Sequence, residues 1–481
     1  MIRSATHQWY LLLAAFFVVY DCSGMTTNSP FDPLPLYTTA NPHEFLYTVR
    51  KDEIRGLMPE YEQEHANFTI TIFGGRATDA INSQEHFVQL GDIHGAWNML
   101  ALTFDTCPNT TLLPPALNTA ANTPYCTEPG QPNPTFLYKD TPTITSTQVT
   151  LNTGPNFGQV SVATDFRKVG VRFEVALMAL ENFGAKLQGG FADIQQTPTV
   201  FTDISAKNFN DQASLPSPCT PDPCCIAENL ANVNLVLTGT NAIQTIAQQM
   251  GLDVDTFHTT NIEDIRGQLF WRHAYPMNYD RDGWPRFLFM PFAQLIGTLA
   301  IAPKVNPNQQ FGVPLGNNGH DSVGFNFGFT LDFDETMEIG IEAGGTFFSK
   351  EKIANFRVPV AEQQTSIFPC IADVCYKPGH NWHFIGTLHA RRFIDRLSAL
   401  CQFALISHNN DKITPIVFSQ KVNDNIEMVE DLTKWDLRLF NLALNYDISP
   451  HISLGVLWQA KLGRRNAPRV NTLLGSFVAN Y

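Results

Sequence analysis

Residues 321 to 333 read DSVGFNFGFTLDF, and from Ser322 onward the stretch alternates without a break. Val323, Phe325, Phe327, Phe329, Leu331 and Phe333 fall on one side, and Ser322, Gly324, Asn326, Gly328, Thr330 and Asp332 on the other. A period of two predicts a β-strand, because successive side chains of a strand point to opposite faces. One face here is wholly apolar and the other is small and polar. After a turn at Asp334-Glu335-Thr336 the pattern resumes. Met337, Ile339, Ile341, Ala343 and Phe347 then oppose Glu338, Gly340, Glu342 and Thr346.

Outward from this pair the same grammar continues to the C-terminus. Predicted strands 381–391 and 396–407 join through Ile394-Asp395-Arg396, and 434–446 and 451–461 through Asp447-Ile448-Ser449-Pro450. The composition of the second connection suits a tight turn. A last strand, 470–481, ends on Tyr481. Short turns alternate with long polar connections at 303–320, 349–380 and 408–433, then a shorter one at 462–469. Upstream, 68–75, 88–103, 161–178, 184–192, 263–274 and 286–302 are further predicted strands. Two long Thr-, Asn- and Pro-rich segments, 105–157 and 193–260, separate them. Residues 228–250 within the second, ENLANVNLVLTGTNAIQTIAQQM, fit a strand or a short helix.

Strands of about 10 to 13 residues suit a tilted membrane crossing, which needs about 9 to 11. A soluble β-sandwich also alternates, with its apolar faces packed sheet on sheet. Three features favour lipid. The polar faces carry Gly, Ser, Thr and Asn with isolated charges, unlike the Lys/Glu cover of a soluble surface. The apolar faces are long and almost free of charge. Aromatics such as Trp382, Tyr446, Trp458 and Tyr481 sit near strand ends, as in an interfacial girdle. The predicted fold class is therefore all-β: a transmembrane antiparallel β-barrel of about 12–14 strands, with short periplasmic turns and long extracellular loops.

The bulk composition agrees. Of 481 residues, 44% are hydrophobic and only 16% charged, and Phe is used 36 times. Soluble domains are roughly 25% charged. The net charge of -14 argues against a nucleic-acid partner, since phosphate binding needs Lys and Arg. Residues 1–24 read as a signal peptide, with Arg3, an apolar run from Trp9 to Tyr20, and small residues Ser23 and Gly24. Lipidation at Cys22 lacks the usual small residues before it. Residues 25–60 are expected to form a periplasmic or irregular segment, and 61–481 the barrel. Beyond the leader lie Cys107, Cys126, Cys219, Cys224, Cys225, Cys370, Cys375 and Cys401. An even number in an exported chain permits disulfides. All but Cys401 fall in the loop segments 105–157, 193–260 and 349–380. Cys107–Cys126 and Cys370–Cys375 are the local pairs, though connectivity is open.

The signal peptide, paired amphipathic strands and final VNTLLGSFVANY resemble a Gram-negative outer-membrane β-barrel of the porin kind. The layout and cysteine-containing loops are similar to the major outer membrane proteins of intracellular bacteria such as Legionella and the chlamydiae. The resemblance covers about residues 60 to 481 in architecture and rests on no single diagnostic motif. It implies an outer-membrane location and contact with lipid and lipopolysaccharide. It also implies recognition by the barrel assembly machinery through the terminal pattern Gly475, Phe477, Ala479 and Tyr481. The implied activity is passive diffusion of small hydrophilic solutes or ions, with a disulfide-stabilised envelope role beside it. A non-conducting structural or adhesive barrel acting through its surface loops is the alternative. Nothing marks an oligomer interface, so a homo-oligomer stays open.

Asp332, Glu338, Glu342, His383, His389 and Arg391 are the candidate lumen-lining residues. Glu338 and Glu342 lie about 13 Å apart along a strand, too far for a glycosidase pair at about 5 to 9.5 Å. Net acidity points toward cations, but the loops contribute to it and the sign inside the barrel stays open. Residues 91–95, GDIHG, match the first motif of a two-metal phosphoesterase. The further carboxylate, Asn and His motifs that such a centre needs do not follow. Asp92 and His94 are read instead as inward positions near the start of a strand. No enzyme, metal or cofactor is expected.

Overall fold

The computed structural model describes residues 66–99, 159–180, 182–204, 242–279, 285–333, 336–359, 364, 366–394, 396–416, 420–449 and 451–480. The expected signal peptide and segment 25–60 lie outside the described residues. So do loop 105–157, Tyr481, and Cys107, Cys126, Cys219, Cys224 and Cys225.

Twelve antiparallel strands form a closed ring. They are β1 (Ala66–Ile81), β2 (Phe166–Leu180), β3 (Phe183–Gln196), β4 (Ile265–Arg272), β5 (Pro285–Leu299) and β6 (Ser322–Phe333). The series continues with β7 (Met337–Phe348), β8 (Asn381–Ile394), β9 (Leu397–His408), β10 (Trp435–Ser449), β11 (Ile452–Lys461) and β12 (Ala467–Asn480). Each strand pairs with its neighbours in sequence. The first and last then meet, from Asn67 opposite Asn480 to Ile81 opposite Ala467. Strand β4 is short, and the ring is completed on either side of it by two short segments. His258–Ile262 pairs with β3, and Tyr275–Tyr279 pairs with β5. Sequence parity allowed 12 or 14 strands, and closure through β3–β4–β5 gives 12.

The alternation of β6 is realised as read. Ser322, Asn326, Thr330 and Asp332 are buried inside the ring, while Val323 and Phe327 are more than half exposed on the outer wall. The outer face repeats this around the ring, with Ile72, Leu187, Leu269, Leu295, Val456 and Leu473 all prominently exposed. An apolar belt of this kind would be a liability in water, and in lipid it costs nothing. No described helix is long and apolar enough to cross a membrane.

Structure above the ring departs from the expected plain loops. At the long-loop end, Trp97–Asn98, Gln159–Ala163 and Val200–Asp203 form one small sheet, and Glu351–Val358, Cys370–Lys377 and Lys412–Pro415 form another. Helix α1 (Ala242–Gln249) lies in the segment read as strand or helix, and α2 (Gln420–Thr433) follows the second sheet. Helix α1 buries Ile243, Ile246 and Ala247, the i, i+3, i+4 stripe of an amphipathic helix. They join Trp97, Val160, Val162, Phe311 and Leu315 in an apolar core at the barrel mouth. The predicted strand 88–103 does not form over its described part, residues 88–99. Its residues make a short strand Phe87–Gln89, a 3-10 turn Leu90–Asp92 and the sheet edge at Trp97. The predicted strand 161–178 divides at residues 164–165, because its first part serves the small sheet and its second the ring.

The local pair Cys370–Cys375 is also overturned. The two cysteines sit on a single strand five residues apart, so their side chains point to opposite faces, and Cys375 is a free thiol. Cys401 is free as well, on the outer face of β9.

Charge on the outer belt is the sharpest check on this orientation. Phe327→Arg should destabilise the barrel by about 2–4 kcal/mol in urea unfolding from lipid vesicles, the cost near mid-bilayer. The inward neighbour Asn326→Ser should cost well under half as much.

Candidate functional site

The interior wall mixes buried apolar side chains, such as Leu288, Met290, Phe292, Ile385, Leu437 and Leu457, with polar ones on every strand, and three polar zones stand out. The first lies on β6, β7 and β8 and gathers all six residues expected to line the lumen. Asp332, Glu338 and His389 occupy registered positions on three adjacent strands. The Glu338 carboxylate meets His389 Nδ1 at 3.0 Å and is ion-paired with Arg391. His383 Nε2 stands 3.5 Å from Glu342 Oε1. All six face inward, and strand pairing brings Asp332, Glu338, His389 and Arg391 into one group while Glu342 and His383 form a second, farther along.

A second zone is uncharged. Thr387, Gln402, Asn441 and Gln459 sit directly opposite one another on β8, β9, β10 and β11. Gln402 Nε2 donates to Thr387 Oγ1 (3.3 Å), Asn441 Nδ2 to Gln402 Oε1 (2.7 Å), and Gln459 Nε2 to Asn441 Oδ1 (3.1 Å). Gln402 and Asn441 each give and receive within the ladder, which satisfies buried polar groups without charge.

The third zone, on β2, β3 and β4, was not singled out in the sequence. Lys168, Arg172, Lys186, Arg266 and Arg272 all turn inward and are buried. Arg172 is bidentate to Glu263, with Nε and Nη2 at 2.5 and 2.8 Å, and Lys168 Nζ reaches the same carboxylate at 2.7 Å. Lys186 pairs with Glu174. The Arg172 guanidinium also lies over the Phe73 ring at 4.3 Å, a cation–π contact. Two glycines make the room. A Cβ at Gly170 would come within 2.5 Å of the Phe73 ring, and one at Gly190 within 2.9 Å of Arg172. The signal was present as alternation: Lys168, Gly170, Arg172 and Glu174 share a face.

GDIHG belongs to none of these zones. Asp92 is buried at the mouth, where its carboxylate accepts from the Val162 N–H (2.8 Å) and the Ser161 hydroxyl (2.5 Å). Burial raises its pKa, and those two hydrogen bonds oppose the rise. A Cβ at Gly91 would collide with Val162, and Gly95 has a φ of 111°. The glycines serve close approach and a turn, and Asp92 clamps the turn to the small sheet. The inward strand position expected for Asp92 and His94 is therefore corrected. Burial lowers the His94 pKa to about 4. No group of three or more metal-ligating side chains occurs among the described residues.

The mouth structures are held by polar clamps. Asp411 accepts from the Gly379 N–H (2.7 Å) and the Tyr376 hydroxyl and contacts His408 Nε2 (2.8 Å), while the His408 ring stacks on Trp435. Arg357 donates to the Met250 and Gly251 carbonyls, both at 2.9 Å, tying the end of α1 to the neighbouring hairpin. His320 is 1% exposed, and burial holds its pKa at about 4 despite the Ser349 carbonyl 3.1 Å from Nδ1.

No family model and no curated protein matches the chain. Among solved structures it is similar to an outer membrane channel from Pseudomonas putida F1, at 8% identity and a TM-score of 0.41, covering 88% of this chain and 97% of that one. It is also similar to the transport unit of the autotransporter AIDA-I from Escherichia coli, at 7% identity and a TM-score of 0.31, covering 90% and 97%. A Pseudomonas aeruginosa FadL homologue matches at 8% identity and a TM-score of 0.28, covering 97% and 99%.

Two outcomes are expected. Glu263→Gln leaves Lys168 and Arg172 buried without their shared carboxylate and should cost about 3–5 kcal/mol in thermal or urea unfolding. For His320, the folded pKa of about 4 lies below the ordinary 6.5. The fold therefore disfavours the protonated ring, and its contribution is complete above pH 6.5 and lost as pH falls toward 4. Hydrogen exchange around Ser349, corrected for intrinsic pH dependence, should accelerate over that window in the wild type and much less in His320→Gln.

Proposed function

We propose that the protein is a channel in the outer membrane of a Gram-negative bacterium, passing small hydrophilic solutes by diffusion. The observation that carries this reading is the interior face of the ring. Polar or charged side chains turn inward on each of the twelve strands, beside buried apolar ones such as Met290, Phe292 and Leu437, and they include at least five Lys and Arg. Burying a charge costs several kcal/mol even when it is paired, and an inert barrel could close its interior with aliphatic side chains at less cost. A hydrophilic lining is what a solute path needs.

A structural or adhesive barrel is the second reading, and one observation favours it. The inward side chains are buried, and an apolar core that includes α1 lies at the mouth. A disulfide belongs to this reading. Cys370 is buried and, unlike Cys375 and Cys401, is not a free thiol. We place its partner among Cys107, Cys126, Cys219, Cys224 and Cys225. This cysteine layout supports kinship with the major outer membrane proteins of intracellular bacteria. The outward placement of Gly475, Phe477 and Ala479 on β12 supports recognition of that strand by the assembly machinery. Lipid and lipopolysaccharide are then the partners of the outer belt.

Planar-bilayer recording of the refolded protein separates the two readings. Ohmic single channels with size exclusion of neutral sugars are expected, and silence under conditions where heat-modifiable mobility proves folding would sink the channel reading. If reductant is needed before conductance appears, the disulfide-held mouth is a closure. In the same sample, a maleimide without reductant should label Cys375 or Cys401 and leave Cys370 unmodified.

A further inference from the structure

We propose that the long-loop end of the barrel is a lid, closed in this structure, and that Arg357 is the latch whose release opens the channel. The inference rests on the channel reading above. It makes the apolar core at the mouth the closed state of that channel.

Strand order shows that the loops span the mouth. The loop between β1 and β2 and the loop between β7 and β8 are six strands apart in a ring of twelve, so they leave the rim at opposite ends of a diameter. At ordinary strand spacing and tilt that diameter is roughly 24 Å between backbones. Yet Ser366 Oγ of the second loop donates to the Gly95 carbonyl of the first at 2.9 Å. The loops between them join the crossing. Gln310 Nε2, from the β5–β6 loop, donates to the Ser366 carbonyl at 2.9 Å, and Phe311 stacks on Trp97 with ring centres 5.7 Å apart. Asp253, from the β3–β4 loop, donates its N–H to the Asn308 carbonyl (2.7 Å) and accepts from the Gln310 N–H (2.9 Å). One apolar core contains Ile243 and Ile246 of α1, Trp97 and Phe311 together with the wall residues Ala77 and Val470.

Arg357 is the side chain that ties these segments together. It is buried, and its guanidinium donates to the Met250 and Gly251 carbonyls (both 2.9 Å), to Asn308 Oδ1 (2.7 Å from Nη2 and 3.0 Å from Nε) and to the Pro369 carbonyl (3.2 Å). One residue thus holds the end of α1, the β5–β6 loop and its own hairpin. Among the described residues all of these acceptors are neutral. A buried cation without a carboxylate recovers less of its desolvation cost than an ion pair does. The closed lid is therefore well defined in geometry yet only modestly favoured over an open one. The ring below is held by continuous strand ladders, so the loops can part while the barrel stays whole.

The test is single-channel recording of the full refolded protein in a planar bilayer, with hydrogen exchange on the same preparation. The wild type should open briefly and rarely. Arg357→Gln loses the charge-assisted bonds to the end of α1 and should raise the open probability about tenfold or more. Amide exchange in Ala242–Gln249 should accelerate in that variant, while exchange along the β1–β12 pairing stays unchanged. Ser366→Ala, which removes only the hydrogen bond across the mouth, serves as a second variant with a smaller rise of about twofold or more. A wild type that stays open overturns the inference and leaves the channel reading standing. Open probability and α1 exchange that are unchanged in both folded variants do the same. Silence of the folded wild type and of both variants overturns the channel reading, and the inference with it.

Discussion

Every backbone N–H and C=O that enters a bilayer must find its partner within the protein, because hydrocarbon offers none. For strands that requirement has one solution, a ring without edges. The pairing of β1 with β12 is therefore the constraint on which the rest depends. Once the ring is closed, pleat geometry assigns alternate residues to lipid and to the interior, and a one-residue slip would invert every strand. The uninterrupted alternation of Ser322 to Phe333 is the visible trace of that constraint.

Closure also creates the chemistry of the interior. Side chains distant in sequence are brought together on the inner wall, where each buried charge needs a partner within reach. Arg172 and Glu263 are separated by much of a long loop yet form a bidentate pair, because β2, β3 and β4 are neighbours in the ring. Where charges are absent, the Gln402–Asn441–Gln459 ladder meets the same demand with amides. Glycines take part for a steric reason: Gly170 and Gly190 vacate the space that Phe73 and Arg172 fill.

The mouth follows different physics. Segments outside the membrane fold as small soluble structures do, around an apolar core, with α1 packed near Trp97 and Phe311. Asp92 shows how a local motif misleads there. Its neighbours Gly91 and Gly95 look like parts of a metal-binding signature, but they permit close contact with Val162 and a turn at positive φ, while the carboxylate caps a neighbouring strand. A five-residue pattern carries less information than a period sustained over many strands.

Periodicity in the sequence was sufficient to determine the strands of the C-terminal half, the side of each that meets lipid, and the inward placement of Asp332, Glu338, Glu342, His383, His389 and Arg391. It suffices because the two-residue period is a local property of extended chain, repeated until it cannot be accidental. It also held Lys168, Arg172 and Glu174 on one face, but without their meaning. The closing of the ring at twelve, the joining of the cations of β2–β4 into one wall, and the folding of the predicted strand 88–103 into a turn were decided only in three dimensions. Each depends on which distant segments become neighbours, and that is fixed by closure and by packing at the mouth, neither of which leaves a local period in the chain.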